Sequence, residues 1–177
     1  MNPTEKTCGQ IVLVNGPAGV GKTTISRRLA ASVPNGACIH GDALRDLVVT
    51  RGPDRPAGLT YLAAAALTEV HLAAGFGRVV VDYIFEQSEH VDRLCDALTP
   101  GTPRPLLVTL WAPLAVVRAR EAARPGRDRL GARVDACWPA LHANLDHLGT
   151  VIDATRPVDR VLADIEHALA SGFHRVG

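Results

Sequence analysis

An apolar run followed at once by a glycine-rich turn is the feature that most constrains the fold of this chain. Ile11 to Val14 are aliphatic, and Gly16 to Thr23 then reads G-x-x-x-x-G-K-T. Such a pattern between a strand and a helix is typical of a loop that cradles phosphate, because its glycines let the backbone turn tightly and direct several N–H groups at one anion. We therefore predict a strand, a phosphate-binding loop and a helix over Thr24 to Ser32.

Individual residues of this loop have separate roles in such a site. Lys22 supplies a mobile positive charge for the β- and γ-phosphates of a nucleotide, and the Thr23 hydroxyl is suited to ligate Mg²⁺. The chain has 17 arginines but only two lysines, Lys6 and Lys22, so Lys22 is needed for its compact ammonium group rather than for charge alone. ATP and Mg²⁺ are the predicted cofactors. The predicted nucleotide-binding residues of the loop are Gly16, Pro17, Ala18, Gly19, Val20, Gly21, Lys22, Thr23 and Thr24.

Size and charge limit the number of domains and the classes of partner that this chain can have. At 177 residues the chain fits a single domain, residues 1–177, which can bury about 70% of its unfolded surface. Its 19 basic and 18 acidic residues leave a formal net charge of +1, which provides no electrostatic footprint for nucleic acid or an anionic membrane. The start of the sequence has no leader or membrane-spanning pattern, and the four cysteines have no metal-binding or disulfide spacing, so we expect a cytoplasmic protein.

Short apolar runs alternate with longer helical patterns along the chain. Strands are predicted at Gln10–Asn15, Ala37–His40, Arg78–Tyr83, Pro105–Ala112 and Thr150–Asp153. Runs that are apolar on both faces, with helices between them, indicate a three-layer α/β fold in which a five-stranded parallel sheet is covered by helices on both faces. Ligands bind beyond the carboxyl ends of the strands in such folds, and the polar motifs of this chain each follow one of those ends.

An acidic residue ends the third predicted strand. Asp82 follows three valines, and an aspartate in that place, in a chain with a phosphate-binding loop, is typical of a carboxylate that orders Mg²⁺. Thr23 and Asp82 are therefore the predicted metal residues, although Asp82 could also serve only to end the strand. Glu86 either contributes to the same pocket or is a solvated acid at the start of a helix.

A second aspartate lies where the second strand opens into a helix. Asp42 can cap that helix by accepting hydrogen bonds from free backbone N–H groups. It can also act as a general base that takes the proton of an attacking hydroxyl, because the end of this strand would face the phosphate-binding loop. Arg45, one turn later, either holds a polar group of a substrate or is surface charge. Among the seven histidines, His40 is of interest because it precedes Gly41 and Asp42.

Five arginines crowd the end of a later helix and the Pro125-Gly126 break behind it. They are Arg118, Arg120, Arg124, Arg127 and Arg129. Such a run is usually a solvated face. Here Arg120 and Arg124 share a helix face, and the break then separates a short mobile cover. We predict a lid over about residues 124–133 that closes guanidinium groups over the transferring phosphate, with Arg120 also contacting the nucleotide.

Together these motifs resemble the small P-loop kinases of the shikimate, gluconate and adenylate kinase kind. From about Ile11 to Ala168 the chain is most similar to chloramphenicol phosphotransferase and related antibiotic kinases. The segments that carry the resemblance are Val81 to Phe85, Arg120 to Arg124 with Asp128-Arg129, and Val151 to Thr155. The resemblance implies that Asp42 is the catalytic aspartate, that Lys22 and Thr23 are the phosphate and Mg²⁺ groups, and that Arg120, Arg124 and Arg129 are the lid arginines.

The predicted activity is transfer of the γ-phosphate of ATP to a hydroxyl of a small molecule, with an antibiotic as one candidate acceptor. The predicted catalytic residues are Asp42, Lys22, Arg120, Arg124 and Arg129. One alternative is an ATP-binding or ATPase regulatory module without an acceptor, which would need no base such as Asp42; another is a metabolite or nucleotide kinase. A nucleic-acid end kinase is disfavoured by the neutral charge and the few aromatic residues. The predicted partners are ATP and a small hydroxylated acceptor, with no nucleic acid and no membrane; a homo-oligomer is compatible with the sequence.

Overall fold

A computed structural model describes residues 9–49, 58–123 and 131–171, which form an α/β fold built on one sheet. Its strands are β1 (Gln10–Asn15), β2 (Gly36–His40), β3 (Arg78–Asp82), β4 (Leu106–Trp111) and β5 (Thr150–Asp153). Its helices are α1 (Lys22–Ala31), α2 (Gly41–Asp46), α3 (Leu59–Ala73), α4 (Ser88–Asp96), α5 (Leu114–Ala122), α6 (Gly131–Ala143) and α7 (Val158–Ser171), with a short 3-10 helix at Leu145–His147.

The five strands lie in the order β2-β3-β1-β4-β5, and every neighbouring pair is parallel. Because crossovers between parallel strands are right-handed, this order puts α1 on one face of the sheet and the helices that follow β2, β3 and β4 on the other. The contacts agree, since α7 packs on α1 while α3 packs on α4. The predicted five-stranded parallel sheet is confirmed, and the predicted strand ends differ from the observed ones by no more than one residue.

The central strands are apolar on both faces because helices cover both of them. Ile11 to Val14 are at most 1% exposed, and Val79 to Val81 are fully buried. Trp138 of α6 packs against this core but remains partly exposed, and its indole Nε1 donates to the carbonyl oxygen of Ala112 at 3.0 Å. None of the helices in the described ranges has the length and hydropathy that crossing a bilayer requires.

The sheet register brings the polar motifs to one edge. Asp82 at the end of β3 is level with Val14 on β1 and with His40 on β2. The loop that follows β1 and the helix that follows β2 therefore begin on either side of Asp82. This placement follows from parallel pairing, which puts the carboxyl ends of all strands at the same edge.

Candidate active site

The loop between β1 and α1 has the backbone that its glycines predict. Gly16, Gly19 and Gly21 have positive φ values of 139°, 83° and 108°. A Cβ at Gly16 would lie 2.5 Å from the carbonyl oxygen of Leu110, so a larger residue would displace backbone there. Gly21 is the N-cap of α1, and the free N–H groups of that helix's first turn are therefore part of the loop.

Lys22 is folded back onto this loop. Its Nζ donates to the carbonyl oxygen of Gly16 at 2.7 Å and to that of Pro17 at 3.0 Å. Burial lowers the pKa of Lys22 from 10.5 to about 8, while the Asp82 and Asp42 carboxylates act in the opposite direction. An ammonium on a long flexible stem can exchange these carbonyls for phosphate oxygens, whose negative charge favours its protonated form.

A cavity of about 250 Å³, which we call the phosphate cavity, opens beside Lys22. The predicted site residues that line it are Ala18, Gly19, Gly21, Lys22, Thr23, Thr24, Asp42, Asp82 and Arg120. Gly16 and Pro17 act from behind the cavity by holding Lys22. Val20 contributes its carbonyl oxygen, which accepts a hydrogen bond from Arg120. The structure thus brings together the loop and the ends of β2 and β3, as the sequence predicts.

Thr23 and Asp82, the predicted metal residues, offer this cavity a hydroxyl and a carboxylate, which suit Mg²⁺ because this hard cation prefers oxygen ligands. Both line the same cavity as Lys22, so a cation held there would lie among the groups that meet phosphate. The Asp82 side chain is only 7% exposed, and its Oδ2 lies 2.9 Å from His40 Nδ1. The sequence analysis did not anticipate this contact with His40.

Asp42 lies at the first turn of α2, but it does not cap the helix. The N-cap is His40, and the cap makes no side-chain hydrogen bond, so the capping interpretation of Asp42 is wrong. Its carboxylate instead pairs with Arg45 at 2.9 Å and with Arg133 of α6 at 3.3 Å. The Asp42 side chain is 52% exposed and borders the cavity. Half of the Asp42 side chain is therefore accessible beside this cavity, and its role as a base stays a prediction.

The predicted lid arginines are only partly within the described residues. Arg120 donates from Nη1 to the carbonyl oxygens of Val20 at 3.2 Å and Ala154 at 2.8 Å, which ties the phosphate-binding loop to the segment after β5. Arg118 instead pairs with Asp135 on the surface at 2.8 Å. Arg124, Arg127 and Arg129 lie outside the described residues. Residues 131–133, which we assigned to the end of the lid, are the first turn of α6.

A second, smaller pocket of about 190 Å³ adjoins the phosphate cavity. The two share Tyr83, Ile84 and Arg133. The residues that line only the second pocket are Tyr61, Glu86, His90, Ala136 and Cys137. The Tyr61 ring packs on His90 and on Tyr83, with centroids 5.4 and 5.7 Å apart, so one wall is aromatic. Glu86 therefore belongs to a neighbouring pocket rather than to the phosphate cavity.

Sequence reasoning missed three members of this second pocket, Tyr61, His90 and Arg133. Tyr61 carries the one available signal, because it is the only Phe, Tyr or Trp side chain in the alanine-rich α3. Arg133 was included only as part of the predicted lid. His90 gives no sequence signal, since it reaches the pocket through the packing of α4 and accepts a hydrogen bond from the backbone N–H of Glu86 at 3.2 Å.

Comparisons with known proteins agree with this architecture. A sugar kinase from Janibacter sp. HTCC2649 has a TM-score of 0.72 at 20% identity, over 92% of this chain and 95% of that one. A gluconokinase from Sinorhizobium meliloti 1021 has a TM-score of 0.64 at 21% identity, over 94% of both chains. The tunicamycin resistance protein of Deinococcus radiodurans has a TM-score of 0.62 at 23% identity, over 94% of this chain and 97% of that one.

At these identities the likeness establishes a P-loop kinase-like fold. Among curated proteins, none has a sequence that matches this chain. The family described as "AAA domain" matches residues 11–147, which is most of the sequence and includes the loop, Asp42, Asp82 and Arg120. The chain therefore belongs to the AAA domain family.

Proposed function

We propose that this protein is an ATP-dependent phosphotransferase that moves the γ-phosphate of ATP to a hydroxyl of a small molecule. The observation that carries the proposal is the pair of adjoining pockets. One is bordered by the phosphate-binding loop, and the other is a separate space of about 190 Å³ that shares Tyr83, Ile84 and Arg133 with it. An enzyme that joins a nucleotide phosphate to a second substrate needs two such spaces.

The residues support a direct in-line transfer. In this proposal, backbone N–H groups of the loop and Lys22 hold the β- and γ-phosphates. Thr23 and Asp82 would hold Mg²⁺, which would supply further neutralisation of phosphate charge. Asp42 accepts the proton of the acceptor hydroxyl while that oxygen bonds to the γ-phosphorus and the bond from phosphorus to the β,γ-bridging oxygen breaks. The products are ADP and a phosphate ester.

The second pocket favours a small polar acceptor with at least one apolar face. Its aromatic wall, Tyr61 and Tyr83, suits the C–H face of a sugar or polyol, and Glu86, His90 and Arg133 offer polar partners. At about 190 Å³ the pocket lies below the range of roughly 300–1,000 Å³ that is usual for drug-sized ligands, which favours a metabolite-sized acceptor. The structural likeness to a sugar kinase and a gluconokinase points the same way.

An antibiotic remains a second candidate acceptor. The resemblance to chloramphenicol phosphotransferase and the structural likeness to a tunicamycin resistance protein favour it. The regulatory alternative, an ATP-binding module without an acceptor, leaves the second pocket and the position of Asp42 beside the phosphate cavity without a purpose.

A single assay separates these alternatives. The protein is incubated with Mg-ATP and each member of three sets: sugars and sugar acids, hydroxylated antibiotics including chloramphenicol and tunicamycin, and nucleosides. A mass gain of one phosphoryl group on a member of the first set is the expected result, and its absence in the Lys22→Ala variant excludes a contaminating kinase. Release of ADP and phosphate with no modified acceptor in any set would support the regulatory module instead.

A further inference from the structure

His40 makes a direct contact with the carboxylate predicted to order Mg²⁺. His40 ends β2 and Asp82 ends β3, and the two residues are level in the parallel pairing of these strands, so their side chains lie on the same face of the sheet. His40 Nδ1 lies 2.9 Å from Asp82 Oδ2. The Asp82 side chain is 7% exposed and that of His40 is 23% exposed, so the contact is largely shielded from water.

The partner on the other side of the ring fixes which nitrogen carries the proton. Arg27 of α1 donates from Nε to His40 Nε2 at 3.2 Å. A guanidinium can only donate, so Nε2 must be the acceptor and the ring proton must be on Nδ1, directed at Asp82. The result is a chain of donors that runs from Arg27 through His40 to the Asp82 carboxylate.

Within the described residues, His40 is the only side chain hydrogen bonded to Asp82. Its contact occupies Oδ2 and leaves Oδ1 of the same carboxylate for a cation or for a water bound to one. Rotation about the Cβ–Cγ bond of Asp82 would turn both oxygens away from these directions, and the contact with Nδ1 opposes that rotation. Groups that hold metal-binding carboxylates in this way set metal affinity although they never touch the metal.

Cys38 adds a further restraint on the ring. Its Sγ lies 3.8 Å from Nε2 and 3.9 Å from Nδ1, so it packs about equally against both nitrogens instead of approaching one lone pair. Cys38, His40 and Asp82 have ligand atoms within 4.8 Å of one another, the arrangement of a soft-metal site. Both ring nitrogens of His40 already have hydrogen-bond partners, Arg27 at Nε2 and Asp82 at Nδ1, so the ring is packed by Cys38 with neither nitrogen left to coordinate a metal.

We propose that His40 is a positioning residue, which holds Asp82 through Nδ1–H so that the remaining carboxylate oxygen is presented to Mg²⁺ at the phosphate cavity. This inference rests on the proposed function, because it concerns the metal that accompanies the nucleotide. It predicts that loss of the Nδ1–H donor weakens the metal-dependent part of nucleotide binding and leaves the metal-independent part unchanged.

Three substitutions separate the hydrogen bond from the size of the ring. His40→Asn can place its amide N–H close to the position of Nδ1, whereas the amide of His40→Gln reaches the position of Nε2. His40→Phe keeps a ring of similar size but has no N–H donor. ATP affinity is measured by calorimetry with and without Mg²⁺, and the Mg²⁺ concentration for half-maximal binding is recorded. His71→Asn is the matched control, because the His71 side chain on α3 bonds to the Leu67 carbonyl oxygen, packs on the Phe76 ring and lines neither of the two pockets.

We expect His40→Phe and His40→Gln to raise the half-maximal Mg²⁺ concentration by about 10- to 100-fold, the usual scale for losing an outer partner of a metal ligand, and His40→Asn to stay near wild type. An unchanged Mg²⁺ requirement in all three variants overturns the inference. So does an equal rise in His40→Asn and His40→Phe, which would mark ring packing as the cause. These titrations need no acceptor, so they decide the role of His40 even if no acceptor is ever phosphorylated and the proposed function fails.

Discussion

Arg133 Nη2 lies 3.3 Å from Asp42 Oδ1, which joins the first turn of α6 to the first turn of α2 across the mouth of the phosphate cavity. Their side chains are 31% and 52% exposed, so the pair contributes little to stability. Its value is geometric, because Arg133 borders both pockets and Asp42 borders the phosphate cavity. In the proposed reaction, the pair would lie where a hydroxyl from the second pocket meets the γ-phosphate.

Replacement of Arg133 should impair transfer while leaving the fold intact. We expect Arg133→Ala to lower kcat/KM for the acceptor by about 10²-fold, since misplacement of a reacting group by an ångström costs that much. Arg133→Lys should recover little, because an ammonium does not reproduce the planar fork of a guanidinium. Steady-state kinetics with a confirmed acceptor give the measurement.

Arg118→Ala is the matched control for this prediction. Arg118 also pairs with an aspartate, Asp135, but on the surface away from both pockets. Its loss should leave kcat/KM unchanged. Equal effects of the two substitutions would mean that Arg133 acts only as surface charge and not through its position between the two pockets.

Asp42→Asn should separate chemistry from structure. The structure removes the capping role that the sequence allowed, so the substitution should leave the melting temperature near that of the wild type. Acceptor phosphorylation should fall by about 10² to 10⁴, the scale for loss of a general base, while ATP affinity persists. If turnover is unchanged, Asp42 is not the base, and Asp82 and Glu86 become the next carboxylates to replace.

The fold was predictable from the sequence because its strands are buried on both faces. Continuous apolar runs such as Ile11 to Val14 and Val79 to Val81 place strands within a residue of their observed ends, and the residues that follow them are brought together by parallel pairing. Asp82 could be placed in the site for that reason. The contacts of Asp42 with Arg133 and of Asp82 with His40 could not, because they depend on how helices and neighbouring strands approach one another.

The role of Arg120 was also only partly predictable from the sequence. Its spacing suggested an arginine that meets phosphate, but its guanidinium also donates to the carbonyl oxygens of Val20 and Ala154. Arg120→Ala should therefore lower the free energy of unfolding by about 1–3 kcal/mol, the scale for partly buried hydrogen bonds to a charged group. It should also weaken ATP binding. Chemical denaturation and nucleotide titration measure the two effects.

Two results would argue against this structural role of Arg120. One is wild-type stability together with reduced kcat, which would make Arg120 solely a phosphate contact. The other is wild-type behaviour in both measurements, which would leave it a solvated residue. Loss of stability and of ATP affinity in the same variant is the result that the two carbonyl contacts predict.

Lys22 should couple ATP binding to proton uptake at alkaline pH. Burial lowers its pKa to about 8, so in the free protein much of this side chain is neutral at pH 9. Phosphate charge placed beside it raises that pKa again, so ATP binding above pH 8 should take up as much as one proton, and affinity should fall by up to tenfold per pH unit there. Below pH 8 the ammonium is already charged, and affinity should not vary with pH on account of this group.

Calorimetry of ATP binding at pH 9, in two buffers that differ in ionisation enthalpy, measures the proton directly. Lys22→Arg is the control, because a guanidinium stays charged throughout this range and should abolish the uptake even where it still permits binding.

The lowered pKa of Lys22 should also make the stability of the folded protein depend on pH. Between pH 8 and 10.5 the unfolded chain holds a proton on Lys22 that the ligand-free folded chain has released. This group alone therefore makes the folded state more stable as the pH rises through that window, and it makes ATP binding weaker over the same window. Opposite slopes for stability and affinity in wild type, both missing in Lys22→Arg, would locate the effect at this lysine; parallel slopes would assign it to another group.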